Sequence, residues 1–440
     1  MAATNGLPGN AGPAEGTLGE VRAQYEQLPY PARDPADESR RLITTWLDDL
    51  PMINHYCFAG RESFRDGFRV LVAGAGTGDA TIFLAHQLRE TDARIVHLDL
   101  SEASIGIARR RAEVRGLGNI TWVHDSLLNL PSLGLGPFDY IQCAGVLHHL
   151  EDPDAGLRAL ESARKERGAL GLMVYGRHGR TGVYQMQEML RLLDGGGEAA
   201  QPRIERTKEV LAHLPGSNWF KRGEDLYWDH KAGDAGIFDL LLHARDRAYT
   251  VGELYDWLQD GHGYDLRFTE VGSGPSAYDP AAILGPRRPA FLERLAALPL
   301  RRRQEFAELL GGRLVMHALF AVRPGQEMAA YGEPDYVPFL FHEPVTGPDL
   351  ARLVEQNRKP TLLLQHAHTG LALPIAVGKY SKYILNNMDG ARTFGEIFDI
   401  VRDIPKFTAA PPTNGELFED FRPFFDALRS IDRILLRHRS

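Results

Sequence analysis

The sequence predicts an α/β fold: a largely parallel sheet with helices on both faces, a helical cap inserted at about 180–245, and a small, mainly α C-terminal domain. Three observations predict it. From residue 68 to 176, short apolar runs alternate with segments of helical spacing, which is the pattern of right-handed βαβ units. The rhythm stops at Gly176, and 180–245 keeps helical spacing without a clear strand. A Pro- and Gly-rich stretch at 325–345 then sets off a final segment, 346–440. A chain of 440 residues suits one large domain and one smaller one.

The elements follow in order. Residues 1–16 are rich in Gly, Ala and Pro and are expected to be disordered. Residues 17–50 have helical character around a Pro-rich break, YEQLPYPARDP. FRVLVAG (68–74), ARIVHLDL (93–100), NITWVHD (119–125), FDYIQCAG (138–145) and GALGLMVYG (168–176) read as strands. TIFLAHQLRE (81–90), EASIGIARRRAEVRG (102–116) and DPDAGLRALESARK (152–165) read as the helices between them. After the cap, Thr250 and Glu253 form a capping box that opens a helix. YDLRFTEVG (264–272) and LVMHALFAVRP (314–324) read as an antiparallel pair closing the sheet, with a basic helix at about 291–311 between them. The large domain is thus 17–324 and 325–345 is a linker. In the last unit, ILNNMDGARTFGEIFDIV gives a helix, an Asp389-Gly390 turn and a second capping box from Thr393 to Glu396.

Composition narrows the class. Hydrophobic residues make up 43% and charged residues 25%, ordinary for a globular protein. The net charge of −8 argues against non-specific attraction to nucleic acid. The two cysteines, Cys57 and Cys143, form no CxxC, so neither a zinc knuckle nor a disulfide framework is indicated. The N-terminus lacks a signal-peptide pattern, and no apolar run reaches the ~18 residues of a membrane span. A cytoplasmic protein without a membrane partner is expected.

The chemistry starts in RVLVAGAGTGDAT (69–81), where Gly74, Gly76 and Gly78 stand at alternate positions after a strand. A dinucleotide turn reads G-x-G-x-x-G, one residue wider. A phosphate loop needs G-x-x-x-x-G-K-[ST], and no lysine follows Gly78. The tighter turn lets backbone approach a ligand closely, over a helix N-terminus. A methionine moiety, carrying a carboxylate and no phosphate, suits it. Asp99 closes the second strand, 21 residues after Gly78, where a carboxylate can accept both hydroxyls of a ribose. Asp125 closes the third, where a carboxylate can accept an adenine amino group, with Ser126 backbone beside it. Either aspartate could instead cap the next helix.

On these residues, 68–176 resembles the class I methyltransferases that use S-adenosyl-L-methionine (SAM). VLVAGAGTGDAT resembles their first motif, HLDLSEASIGIARRRA the second and GPFDYIQCAGVLHHLEDP the fourth. The resemblance implies a Rossmann-like seven-stranded sheet with an antiparallel last strand, and SAM as cofactor. The implied cofactor contacts are Gly74, Gly76, Gly78, Asp79, Asp99, Leu100, Asp125, Ser126 and Ala144. The family often has an acid two residues before the first glycine. Val72 stands there, and Asp79 is the compensating candidate.

Methyl transfer needs an aligned nucleophile and a dry site, with a general base for a hydroxyl acceptor. His148 and His149 follow the fourth strand and are the candidate bases; packing roles are the alternative. Tyr25, Tyr30 and Arg33 suit a lid. Arg180, Tyr184 and His243 of the cap suit the acceptor pocket. No metal is expected, although Asp239 and His243 share a helix face. The NPPY- or DPPY-type tetrapeptide of exocyclic-amine enzymes is absent, and no basic stripe suggests DNA or RNA. The acceptor is then an oxygen or nitrogen nucleophile of a small molecule or of a peptide or protein side chain. LPIAVGKYSKYILNNMDGARTFGEIFDIV weakly resembles small winged-helix-like units that bind peptides, and it also admits a homodimer. The competing readings are an inactive SAM-fold peptide adaptor and an NAD(P)-dependent oxidoreductase.

Overall fold

A computed structural model describes residues 19, 22, 25–194, 198–243, 245–271, 273–342, 344–365 and 371–439. The expected disordered segment, 1–16, lies outside them. Nine elements form the core of the large domain: β1 (Arg69–Ala73), β2 (Arg94–Asp99), β3 (Ile120–His124), β4 (Phe138–Ala144) and β5 (Arg164–Gly176), with α1 (Leu50–Cys57), α2 (Asp79–Gln87), α3 (Glu102–Val114) and α4 (Pro153–Ser162). Strands β6 (Ala248–Tyr249), β7 (Asp265–Thr269) and β8 (Met316–Val322) complete its sheet.

The sheet runs β3-β2-β1-β4-β5-β8-β7, with the two-residue β6 beside β5. Strands β1 to β5 are parallel, and β8 is antiparallel to both β5 and β7. This is the Rossmann-like sheet with its closing antiparallel strand. Val70, Leu71, Val72 and Ala73 are all fully buried, because a central parallel strand is covered on both faces. Leu71, Leu98 and Ile141 pack into the core on one face, and Val70, Val72 and Ile95 into the core on the other.

Local chemistry starts the helices where the fold needs them. The Ser101 hydroxyl accepts the Ser104 N–H at the start of α3. Asp152 caps α4 with Pro153 in its first turn. The Thr250–Glu253 and Thr393–Glu396 capping boxes both form. The cap is helical: α5 (Thr181–Leu193) and α6 (Ala200–Ala212) pack on a π-helical turn, Phe238–Leu242. The expected basic helix is two pieces, Phe291–Ala296 and α7 (Leu300–Gly311), broken just before α7 at Pro299.

Tyr336–Leu340, within the expected linker, is a strand, β9. It pairs antiparallel with the final strand, β12 (Ile434–His438). Between them lie α8 (Gly347–Gln356), a hairpin of β10 (Thr361–Gln365) and β11 (Ala372–Ala376), α9 (Ser381–Asn387), α10 (Phe394–Arg402) and α11 (Asn414–Arg429). Their core is aromatic, with Phe394, Phe398, Phe421 and Phe424 nearly fully buried. The unit is stitched to the large domain. Asp432 accepts the Tyr56 hydroxyl at 2.5 Å and the Thr269 hydroxyl at 2.6 Å. The Leu436 N–H donates to His55 Nδ1, and the His438 N–H to the Gly60 carbonyl. No helix among the described residues is long and apolar enough to cross a membrane.

Candidate active site

A cavity of about 830 Å³ opens at the C-terminal ends of β1, β2, β4 and β5, the place where open α/β sheets bind ligands. Its floor is the glycine turn. Gly74, Gly76 and Gly78 all have positive φ (+68°, +52° and +97°), which only glycine adopts at little cost. Gly74 and Gly76 line the cavity and Gly78 does not. A Cβ on Gly74 would fall 2.4 Å from Val146 Cγ2, and one on Gly76 2.9 Å from the Tyr30 carbonyl oxygen. A Cβ on Gly78 would fall 2.7 Å from Ala108 Cβ on α3. The first two glycines bring backbone to the cavity; the third lets α2 and α3 meet.

Asp99 reaches across from β2. Its Oδ2 accepts the Gly76 N–H at 2.6 Å and its Oδ1 the Ser101 N–H at 2.9 Å. Burial raises its pKa, against the pull of these amides. Leu100 and Ala144 line the wall beside it. The residues fit a SAM nucleoside: close backbone at the glycine turn and a carboxylate fixed by two amides, each oxygen keeping acceptor capacity toward the cavity.

Asp125 and Ser126 do not line the cavity. Asp125 Oδ1 accepts the Ser126 N–H and the Asn129 side-chain amide, both at 2.7 Å, so it serves its own turn, the capping role. Asp79 lines the cavity but is held by Arg33 at 2.6 Å and Arg111 at 2.7 Å. Although burial pushes its pKa up, these two guanidiniums hold the carboxyl below its usual range. Its charge is neutralised before any ligand arrives.

The arm from Tyr25 to Glu38 crosses the mouth. The Thr77 hydroxyl donates to the Pro31 carbonyl at 2.7 Å, and Glu26 accepts the N–H groups of Glu102 and Ala103 at the start of α3. Glu38, almost fully buried, pairs with Arg111 and Arg115. Tyr25 and Tyr30 line the cavity, while Arg33 sits behind it on Asp79.

The cap and β5 supply the opposite wall. Asp239, 3% exposed, lies in the π-helical turn. Its Oδ1 accepts the Tyr25 hydroxyl at 3.1 Å and its Oδ2 the Tyr175 hydroxyl at 3.4 Å. Burial, then the nearby charge of Asp229, pushes its pKa up to about 7. Asp229 in turn accepts the Tyr30 hydroxyl. The Arg180 guanidinium lies 3.5 Å from the Tyr175 ring centroid and pairs with Asp246 at 2.8 Å. Tyr184 supports that pair from behind and does not line the cavity. Trp228, three-quarters exposed, and Met316 stand on the rim.

The two histidines separate. His148 is fully buried, off the cavity wall, and neither ring nitrogen has a hydrogen-bond partner. Burial, with His149 and Arg180 nearby, lowers its pKa well below the usual value. His149 lines the cavity. Its Nδ1 lies 2.7 Å from the Arg245 carbonyl, which accepts only if Nδ1 carries the proton, and Nε2 is left as the acceptor. Burial lowers its pKa to about 4. His243 stacks on His149 at 3.9 Å and meets the Tyr25 hydroxyl at 3.4 Å, behind the wall. No group of three or more potential metal ligands occurs among the described residues. Sequence reasoning left Tyr175 and Trp228 out of the site and read Asp229 and Asp239, in the stretch DHKAGDAGIFDLLLHARD, as metal-capable types or as polar residues facing the acceptor pocket. They come from separate segments, and only the fold brings them together.

The family described as "Methyltransferase domain" matches residues 71–170. A relative from Synechococcus, "Uncharacterized protein syc1184_c", is 30% identical over 328 residues, covering 74% of this chain and 76% of that protein. The ubiquinone biosynthesis O-methyltransferase of Acinetobacter baylyi is 26% identical over 133 residues, 30% of this chain and 54% of that enzyme. This chain thus spans about half of that enzyme's length. Among solved structures, PKMT2 from Rickettsia typhi in complex with AdoHcy superposes with a TM-score of 0.59 at 14% identity, over 90% of this chain and 76% of that one. That likeness shows the fold. With the matched domain lying on the glycine turn and the Asp99 strand, the chain belongs to the class I SAM-dependent methyltransferases.

Proposed function

We propose that this methyltransferase moves a methyl group to an oxygen or nitrogen nucleophile seated against the cap, on a small molecule or on a peptide or protein side chain. One observation carries this: a single cavity runs from the glycine turn to the wall of Asp239, Tyr175 and His149. Gly74, Gly76, Asp99, Leu100 and Ala144 would hold the cofactor. SAM, when bound, supplies an electrophilic methyl group on a sulfonium. The chain's own residues do the rest. The arm carrying Tyr25, Tyr30 and Pro31 closes over the glycine turn and excludes water. The two walls orient the acceptor. His149 Nε2 and the Asp239 and Asp229 carboxylates line that side and are the candidates to take a proton from it.

The Acinetobacter relative is an O-methyltransferase, but its match spans 133 residues, 30% of this chain, too little to carry its acceptor over. The reading is tested by titration calorimetry with S-adenosylhomocysteine. Binding to the parent is expected, with Asp99→Ala weakening it about tenfold or more through the lost charged hydrogen bonds. Equal affinity in parent and variant would remove Asp99 from the site. An acceptor is then sought as a product one CH₂ heavier in cell extract supplied with SAM and the protein.

A further inference from the structure

The acceptor side of the cavity is acidic and aromatic. Six carboxylates line the cavity: Asp79, Asp99, Glu151, Asp152, Asp229 and Asp239. Arg180 is the one Lys or Arg on the wall among the described residues, and Asp246 already balances it. Asp79 is balanced by Arg33 and Arg111. Among the described residues, neither Asp229 nor Asp239 has an ion-pair partner; Arg180 is near Asp239 but pairs with Asp246, and their side chains accept tyrosine hydroxyls, Tyr30 on one and Tyr25 and Tyr175 on the other. Of the aromatic rings on this side, Tyr175 already carries Arg180 and Trp228 already carries Lys231, while Tyr25 and Tyr30 line the cavity as further rings able to attract a cation.

We infer that the cap side of the cavity is an amine subsite, in which Asp239, with Asp229 beside it, anchors a methyl acceptor that arrives as an ammonium ion and then takes one N–H proton from it, freeing the nitrogen lone pair that would bond to the methyl carbon as the cofactor's S–CH₃ bond breaks. This rests on the methyltransferase reading above and goes beyond it by choosing nitrogen over oxygen. Two neighbouring carboxylates in a half-buried wall repel one another, and a bound ammonium relieves both. Burial and the charge of Asp229 raise the proton affinity of Asp239, against the pull of the Tyr25 hydroxyl and of Arg180. A phenol or alcohol acceptor gains none of this. An anionic acceptor is repelled outright. The π-helical turn places Asp239 on the wall, and such turns recur at functional sites.

The test uses two probes that differ only in the heteroatom, 2-phenylethylamine and 2-phenylethanol. Each is titrated at about pH 8, where the amine is charged and Asp239 ionised, into protein saturated with S-adenosylhomocysteine. The amine should bind about tenfold tighter than the alcohol, and Asp239→Asn should remove most of that preference. Affinity for S-adenosylhomocysteine should stay within about twofold in Asp239→Asn, which shows that the variant is folded. If that fold check fails, Asp229→Asn takes its place, with the same loss expected. A blocked lysyl peptide in a parallel titration distinguishes the two sources of an amine: tighter binding of the peptide assigns it to a polypeptide side chain, tighter binding of the free amine to a small molecule. Equal affinity for amine and alcohol, no binding of either, or a preference that survives in the folded variant would overturn the amine subsite. Failure of S-adenosylhomocysteine to bind the parent would fall on the methyltransferase reading instead.

Discussion

At Gly78 a single methyl group separates two roles. Its spacing in the glycine triplet reads as a cofactor contact, yet the residue faces α3 and not the cavity. Gly78→Ala would place a Cβ 2.7 Å from Ala108 Cβ at a φ of +97°. The expected cost is about 2–3 kcal/mol of stability, from overpacking and the left-handed backbone together. Urea unfolding measures it, and the affinity for S-adenosylhomocysteine should change far less than in Asp99→Ala. The reverse pattern would return Gly78 to the cofactor. Asp125 teaches the same lesson. A strand-end aspartate is legible in the sequence, but whether it faces a ligand or its own turn depends on Asn129, four residues on, which takes up the same carboxylate oxygen.

Among elements, the N-terminal arm matters most to the site. It has little regular structure, so its hold depends on side chains. Glu38 is 3% exposed at its side chain and faces Arg111, at 1%. Glu38→Gln removes the charge but keeps the shape. The expected loss is about 2–3 kcal/mol, less than the ~3–5 of a fully broken buried pair because Asp79 still faces Arg111. Thermal melts check the stability. Faster release of S-adenosylhomocysteine in stopped-flow would show that the arm covers the glycine turn; an unchanged rate would make Glu38 a strut only. The strands of the sheet were readable because each is a short apolar run bounded by turn residues. Strand β9 was not. Pro338 lies inside it, and YVPFLF reads as a Pro-rich connector; the strand tolerates that proline because β12 is its one partner, which leaves the other edge free. The wall of Tyr175, Asp229 and Asp239 was only half readable: the two aspartates stand in one polar stretch of the cap, but no period or spacing links them to Tyr175 on β5.

Across the whole molecule, burial sets the acid response. Five buried histidines are held neutral by desolvation: His55, His97 and His243 at about 3, His149 at about 4, and His148 well below its usual range. Their folded values lie below the unfolded ~6.5, so stability is full above that value and is lost as pH falls through it. Burial moves Asp48 and Asp239 the other way, to about 7, and Asp432 to about 6. These three favour the fold below the unfolded ~3.9 and lose that contribution as pH rises toward their folded values. Between pH 7 and 5 five groups oppose three. The melting temperature should therefore fall on acidification across that window, and differential scanning calorimetry in matched ionic strength reads it. A flat or rising profile would mean that the histidines are not held neutral.

The pairing of His55 with Leu436 joins residues 381 positions apart. A ribosome adding roughly 5–20 residues each second needs about 20–80 s to travel from one to the other. Through that time α1 and the flank of β8 lack the cover that Phe341 and Leu435 later provide, and the Tyr56 hydroxyl waits for Asp432. The nascent protein can assemble its nucleotide-binding sheet early, but its last strand must leave the exit tunnel before that flank is sealed. The interval is one in which a holdase chaperone has a defined apolar surface to grip.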